Sequence, residues 1–354
     1  MPTSMSDTVI PVADPSRLMG FFIDHIRDEH GIVFDEADDG SRIFRQDEFG
    51  LRFHVLPSGL QVRIEGPNPG VLIFFKEEIV SHVAELDPTA AANIRWSGET
   101  AVAGALPSNF KVLEVTASRE VFAGMQRVTL VHDDVVSLAD GGIHLRLMLP
   151  LEPGRVPVWP RMAENGVPVW PGGADKLHAR MITLRHVRPS EGEVDIDIVR
   201  HAGGLISDWA QQAREGQRVG VMGPAGKVTL PVFDGLFLAA DGTGLPALAR
   251  LLESLPAAAT GDVVVAFPPD ADATDYLPQT PLRVHKIAPD RFEGEVVQRA
   301  AALTARGRTG YAFFAGEFQN AQDLRAHFKA ELGLDKTTQI SAAYWRRGVP
   351  GYGS

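Results

Sequence analysis

The sequence predicts a multidomain fold: an N-terminal small α+β domain, then an antiparallel β-barrel domain, then an α/β domain built on a parallel sheet. Three observations carry this. At 354 residues the chain can bury two or three cores. From Lys111 onward short alternating strands follow one another, the pattern of a small antiparallel barrel. After Pro231 apolar strands alternate with helices, the pattern of a parallel sheet flanked by helices. The expected boundaries are 12–98, 107–230 and 231–348.

The first region begins with Pro15 at a helix start, and Leu18, Phe22 and Ile26 are spaced for one helical face. Residues 42–44 and 51–55 read as strands. Pro57-Ser58-Gly59 then turns into residues 60–64, a hairpin pattern. Val71, Leu72, Phe75, Ile79, Val83 and Leu86 lie on a second helix. His25, His30, His54 and His82 lack a compact ligand spacing, so they read as surface or capping histidines. Residues 99–107, rich in Ala, Gly and Pro, read as a linker.

In the second region, strands fall at 112–115, 126–131 and 143–150. The proline-rich stretch 154–173 reads as a surface loop, with Trp159 and Trp170 packing it onto the barrel. In the third, residues 235–240, 262–267 and 311–316 are apolar strands, with helices over 248–255 and near 293–305. Ligands of such sheets bind beyond the carboxyl ends of the strands, where Asp241 to Leu245 and Gly316-Glu317 fall.

Composition limits the chemistry. A net charge of −11 argues against nucleic acid or an anionic membrane as partner. No apolar run reaches transmembrane length, and the first residues lack a basic segment followed by an apolar one, so the expected location is cytoplasmic. With no cysteine there is no disulfide, no thiolate nucleophile and no cysteine-ligated iron–sulfur cluster. Electrons must come from a bound organic cofactor or an outside donor.

The most informative stretch runs from 179 to 227. It opens on Arg180-Met181-Ile182-Thr183, passes His201 and Gly203-Gly204 into Leu205-Ile206-Ser207-Asp208-Trp209-Ala210, and closes on Gly223-Pro224-Ala225-Gly226. A basic strand followed by a Gly-Gly turn into a helix start suits a pyrophosphate, because free helix N–H groups and a guanidinium both favour an anion.

These motifs resemble those of siderophore-interacting proteins, flavin-dependent ferric-siderophore reductases of the ferredoxin-reductase-like superfamily. The likeness covers residues 107 to 348. It continues in Asp241-Gly242-Thr243-Gly244-Leu245-Pro246-Ala247, in Ala315-Gly316-Glu317 and in Tyr344-Trp345-Arg346-Arg347-Gly348. Residues 12–98 resemble a small domain of unknown function sometimes fused to that family, and Ile94-Arg95-Trp96 matches its usual end. Two positions depart from the family pattern: Ile182 stands for a tyrosine and Gly242 for a glutamate.

The resemblance implies an FAD-binding barrel and an NAD(P)H-binding-like α/β domain. It implies a cofactor site of Arg180, Met181, Ile182, Thr183, His201, Gly204, Leu205, Ile206, Ser207 and Trp209, with Asp241, Thr243 and Glu317 on the side of the reductant. Arg180 would pair with the flavin diphosphate, and Thr183 would be the catalytic residue at the reactive ring edge. Electrons would pass from NADPH or NADH through FAD to a ferric siderophore, releasing Fe(II) for iron homeostasis; a ferredoxin donor also stays open. Iron is then substrate, with no protein metal site. Lys176, Arg185, Arg346 and Arg347 are the candidates for holding an anionic siderophore. The second expectation is a flavin- or siderophore-binding sensor or carrier with little turnover.

Overall fold

The computed structural model describes residues 4–30, 32–46, 49–98, 102–139, 142–226, 235–269, 271, 276–307, 309–349 and 351–352. The first three linker residues (99–101), Lys227, residues 231–234 at the third boundary, Asp270 and the side chain of His30 lie outside them. The chain falls into two compact units. One comprises residues 1–111, 150–177 and 222–224; the other comprises 112–149, 178–221 and 225–354.

The first unit contains β1 (Ser4–Ile10), α1 (Pro15–His30), β2 (Asp35–Glu36), β3 (Arg42–Gln46), β4 (Phe49–Leu56), β5 (Gly59–Gly66), α2 (Pro69–Leu86), α3 (Pro88–Asn93) and β6 (Ser97–Gly98). The strands form an antiparallel sheet in the order β2-β3-β4-β5-β1-β6. Asn68 caps α2 by accepting from Val71 N–H, with Pro69 pre-set in the first turn; Asp87 ends α2 and caps α3. The inward rows Leu51-Phe53 and Leu60-Val62-Ile64 meet Phe22, Leu72, Ile79 and Val83 from the helices.

β1 was not anticipated, and its hydrophobic pattern is inverted. Ser4, Ser6 and Thr8 face inward while Met5 and Val9 face solvent. The buried hydroxyls of Ser6 and Thr8 donate to the carbonyls of Ser97 and Arg95. Such bonds remove the penalty of burying a hydroxyl, so a polar row can line this side. His25 and His82 are part-buried, against the surface expectation. The His25 and His82 rings meet tilted, with centroids 4.2 Å apart, and His25 stacks on Phe21.

The 150–177 segment carries the short strands β10 (Arg161–Met162) and β11 (Pro168–Val169). Its tryptophans pack within this first unit: Trp159 against Phe110, ring centroids 5.4 Å apart, and the Trp170 indole N–H on Glu77 of α2. Gly104 and Ala105 pair through their backbones with Met162. The segment after the first domain is therefore hydrogen-bonded chain.

Six strands close the barrel in the order β12-β13-β8-β7-β14-β9. They are β7 (Phe110–Phe122), β8 (Met125–Val131), β9 (His144–Pro150), β12 (Leu177–Arg188), β13 (Glu193–Val199) and β14 (Arg218–Ala225). Alternate residues Leu113, Val115, Val128, Leu130, Leu145 and Leu147 fill its interior, and Ile206 and Ala210 of α5 (Leu205–Gln212) pack on it. The short α4 (Val136–Ala139) adds Leu138.

The remaining sheet has the order β17-β16-β15-β18-β19, every pair parallel. Its strands are β15 (Leu236–Ala240), β16 (Gly261–Ala266), β17 (Arg283–Ile287), β18 (Tyr311–Glu317) and β19 (Gln339–Trp345). One face buries α6 (Leu245–Glu253), and the other buries α7 (Pro289–Thr304) and α8 (Phe318–Leu332). Both faces being covered explains why β15 and β18 read as unbroken apolar runs.

Candidate functional site

Strand β12 presents Arg180, Met181 and Ile182 partly exposed and Thr183 buried. The Arg180 guanidinium donates through Nη1 to the carbonyl of Ala179 at 2.6 Å. Burial pulls its pKa down, and no carboxylate pairs with it among the described residues. The contrast along the same strand is sharp. Arg188 is held by Glu191, Glu193 and Asp195, and Arg185 by Glu253.

The turn after β13 brings His201 over the start of α5. Gly203 has φ +75°, and a Cβ at Gly204 would lie 2.1 Å from His201 Cε1. The imidazole thus lies directly over Gly204, and a side chain there would displace it. Ser207 Oγ accepts from the backbone N–H of His201 at 2.9 Å, which pins the turn. Among the described residues no side chain caps the helix, so its first amides have no side-chain acceptor there. Leu205, Ile206 and Trp209 pack on the barrel core. The buried indole N–H of Trp209 has no hydrogen-bond partner among the described residues.

The phenolic oxygen of Tyr344, at the end of β19, lies 2.7 Å from His144 Nε2 on β9. Burial drives the Tyr344 phenol above its ordinary range. Burial and the charge of Arg250 push the His144 imidazole down to about 4. His144 was not among the residues anticipated, since one histidine in a barrel strand carries no sequence signal of its partner 200 residues away.

At the carboxyl ends of β15 and β18 the two carboxylates expected on the reductant side are engaged with the protein itself. Asp241 accepts from Thr243 N–H (2.8 Å), Thr243 Oγ1 (2.6 Å), Gly244 N–H (3.2 Å) and Trp345 Nε1 (2.7 Å). Glu317 caps α8 through Gln319 and Asn320 N–H and also accepts from Arg347 N–H. The turn is tight: a Cβ at Gly244 would lie 2.3 Å from the carbonyl oxygen of Ala315, and one at Gly316 would lie 2.6 Å from Asp241 Oδ2. Gly242 is roomier, with Val199 at 3.4 Å as its nearest neighbour.

The four cations expected to hold substrate are not equivalent. Arg185 is only 4% exposed, pairs with Glu253 at 2.5 Å and lies over the Tyr276 ring, so it is an internal cation. Arg347 grips both oxygens of Glu293, at 2.6 and 2.7 Å. Arg346 is exposed and lies over the Phe318 ring, 4.5 Å from its centroid. Lys176 is an exposed residue of the first compact unit.

An unpaired, half-buried guanidinium and an uncapped helix start suit a dinucleotide diphosphate, so the residues present fit FAD. Residues 114–228 match the siderophore-interacting FAD-binding domain, and residues 233–348 match the siderophore-interacting protein domain. The chain belongs to the siderophore-interacting protein family. It is 31% identical over 247 residues to the NADPH-dependent ferric-chelate reductase of Escherichia coli, covering 67% of this chain and 92% of that one. It is 25% identical over 246 residues to the ferric vibriobactin reductase of Vibrio cholerae, covering 67% and 90%. Among solved structures it is similar to a siderophore utilization protein from T. fusca, with TM-score 0.57, 28% identity and coverage of 70% and 97%. It is also similar to the siderophore-interacting protein SipS of Aeromonas hydrophila, with TM-score 0.55, 25% identity and coverage of 68% and 93%. Among the described residues no helix is long and apolar enough to cross a membrane.

Proposed function

We propose that this protein is a flavin-dependent reductase of ferric siderophores, passing electrons from NADPH or NADH through FAD to chelated Fe(III). The observation that carries the reading is Arg180: a half-buried guanidinium, on the strand that bears the family's first signature, with no acid partner among the described residues. A charge left so is stabilised by an anionic ligand.

Arg180 and the first amides of α5 hold the diphosphate, with His201 and Gly204 fixing that turn. Ile182 packs against the ring, and Thr183 places its hydroxyl at the ring edge. FAD, when bound, supplies the conversion of a two-electron donor into one-electron steps. The substrate chemistry follows from hard–soft preference. Fe(III) is gripped by hard anionic oxygens and Fe(II) much less, so reduction frees the metal from its chelator. Asp241 and Glu317 shape the turns where the nicotinamide nucleotide docks and do not bind it through their carboxylates. Arg346 is the best placed of the four cations to meet an anionic siderophore, since Arg185 and Arg347 are already neutralised.

The division at 12–98, 107–230 and 231–348 assigns the second and third domains to this chemistry, in the cytoplasm. A ferredoxin could replace the nicotinamide donor. The test is a steady-state assay in which Fe(II) is trapped by a ferrous-specific chelator. Fe(II) should form only with FAD, a nicotinamide donor and a ferric chelate all present. Formation without FAD, or none with all three, would reject the proposal.

A further inference from the structure

Arg180 is met by a stretch of chain that lies past the family match, which ends at residue 348. After β19 the chain turns back at Gly348, where φ is +75° and the Val349 N–H donates to the Arg346 carbonyl at 3.1 Å. The Tyr352 ring then meets the Phe318 ring edge to face, with centroids 5.7 Å apart. Phe318 is the first residue of α8, and Arg346 lies over the same ring. The strap is thus tied down on both sides of Gly351, at Val349 and at Tyr352.

Gly351 reaches the guanidinium itself. A Cβ built on it would lie 3.0 Å from Arg180 Nη2, 3.6 Å from Cζ and 3.9 Å from Nη1. Its φ of +83° is left-handed, a conformation that residues with a side chain resist. A side chain at 351 would therefore strain the backbone and push the guanidinium aside. From another direction the Ala179 carbonyl accepts from Arg180 Nη1 at 2.6 Å. The guanidinium is held between two stretches of backbone, neither of which carries a net charge. Its place is constrained while its charge stays available to a ligand.

We propose that Gly351 and Tyr352 are positioning residues for the cofactor, which hold the Arg180 guanidinium in place before the diphosphate arrives. This role rests on the pairing of Arg180 with the FAD diphosphate. Gly351 acts by its close backbone approach, and Tyr352 acts by anchoring the strap on Phe318. A guanidinium meets phosphate oxygens through N–H groups at fixed angles, so its orientation matters more than that of a lysine ammonium. Ordering a long, free side chain on binding costs affinity, and an arginine ordered beforehand spares that cost. A neutral strap suits the task, because a carboxylate there would compete with the diphosphate for the same charge.

The experiment measures Kd for FAD in the full-length protein and in Gly351→Ala, Tyr352→Ala, Arg180→Ala and the double variant Gly351→Ala/Arg180→Ala. Having to order one arginine on binding predicts FAD held about two- to tenfold more weakly by Gly351→Ala and by Tyr352→Ala. Once Arg180 is gone there is nothing left to position, so adding Gly351→Ala to Arg180→Ala should leave Kd within about a factor of two. Tyr352→Ala loosens the strap without straining residue 351, so it decides the matter even if Gly351→Ala does not fold. If Arg180→Ala leaves Kd unchanged, the diphosphate is elsewhere and both readings fall. If Arg180→Ala weakens binding but either strap variant does not, the placement of the diphosphate stands and the positioning role is wrong. A loss on Gly351→Ala that is equal with and without Arg180 would make the glycine's role merely structural and overturn the proposal. Tighter binding by either strap variant would also overturn it, since the strap would then be a cover that FAD displaces.

Discussion

Trp345, at the end of β19, donates its indole N–H to Asp241 Oδ2 at 2.7 Å, reaching past β18 to the turn that follows β15. That bond ties the C-terminal motif to the turn that follows β15, where Gly244 sits close against the Ala315 carbonyl. Asp241 is buried, so a donor removed from it is not replaced by bulk water. Trp345→Phe should therefore destabilise the protein by about 1–3 kcal/mol, read as a lower urea midpoint at unchanged slope. An unchanged midpoint would mean that the bond contributes nothing.

Arg180→Ala should weaken FAD binding by about 1.5–3 kcal/mol, the worth of a charge-assisted hydrogen bond. The guanidinium has no acid partner among the described residues, so its removal strands no internal carboxylate and the fold should persist. Fluorescence titration with FAD measures this. A variant that binds FAD as tightly as the parent would place the diphosphate elsewhere.

Asp195 gives a pH prediction. Burial raises its pKa, but hydrogen bonds from His186, Arg188 and Thr129 outweigh burial and hold it well below the usual carboxylate range. A depressed folded-state pKa contributes stability that is complete above the unfolded value near 4 and is lost as pH falls below it. Asp195→Asn should cost about 1–3 kcal/mol at pH 7 and flatten the acid side of the Tm–pH curve. Parallel curves for the two proteins would contradict this.

Arg346→Ala should raise KM for an anionic ferric siderophore and weaken its salt dependence, leaving FAD reduction by the donor unchanged. Arg347→Ala should do less, because Glu293 already neutralises that guanidinium. Exposed charges are screened beyond about 10 Å at 0.1 M ionic strength, so the salt series separates a contact from a distant field. Equal KM values and equal salt slopes for parent and Arg346→Ala would remove Arg346 from the substrate site.

What the sequence made legible follows burial. β15 and β18 are covered on both faces and stand out as apolar runs, and α1 and α2 show one apolar face each. β17 was missed because it is an edge strand whose Arg283, Val284 and Lys286 face solvent. β1 was missed because hydroxyl-to-carbonyl bonds let Ser6 and Thr8 take inward positions that patterning reserves for apolar residues. For the proposed site, the order of the motifs singled out Arg180 and Thr183. The bonds of Trp345 to Asp241, of Arg347 to Glu317 and Glu293, and of Arg185 to Glu253 were not legible, because each is a tertiary contact between residues distant in sequence. His144 belongs with them.

The central claim is electron transfer through FAD, and one anaerobic experiment tests it directly. FAD-loaded protein is reduced by NADPH or NADH until the flavin absorbance bleaches, and a ferric siderophore is then added without oxygen. The account predicts that the oxidised spectrum returns, with Fe(II) appearing at two ions per FAD because the cofactor delivers two electrons singly. A flavin that stays bleached in the presence of excess ferric siderophore would contradict it.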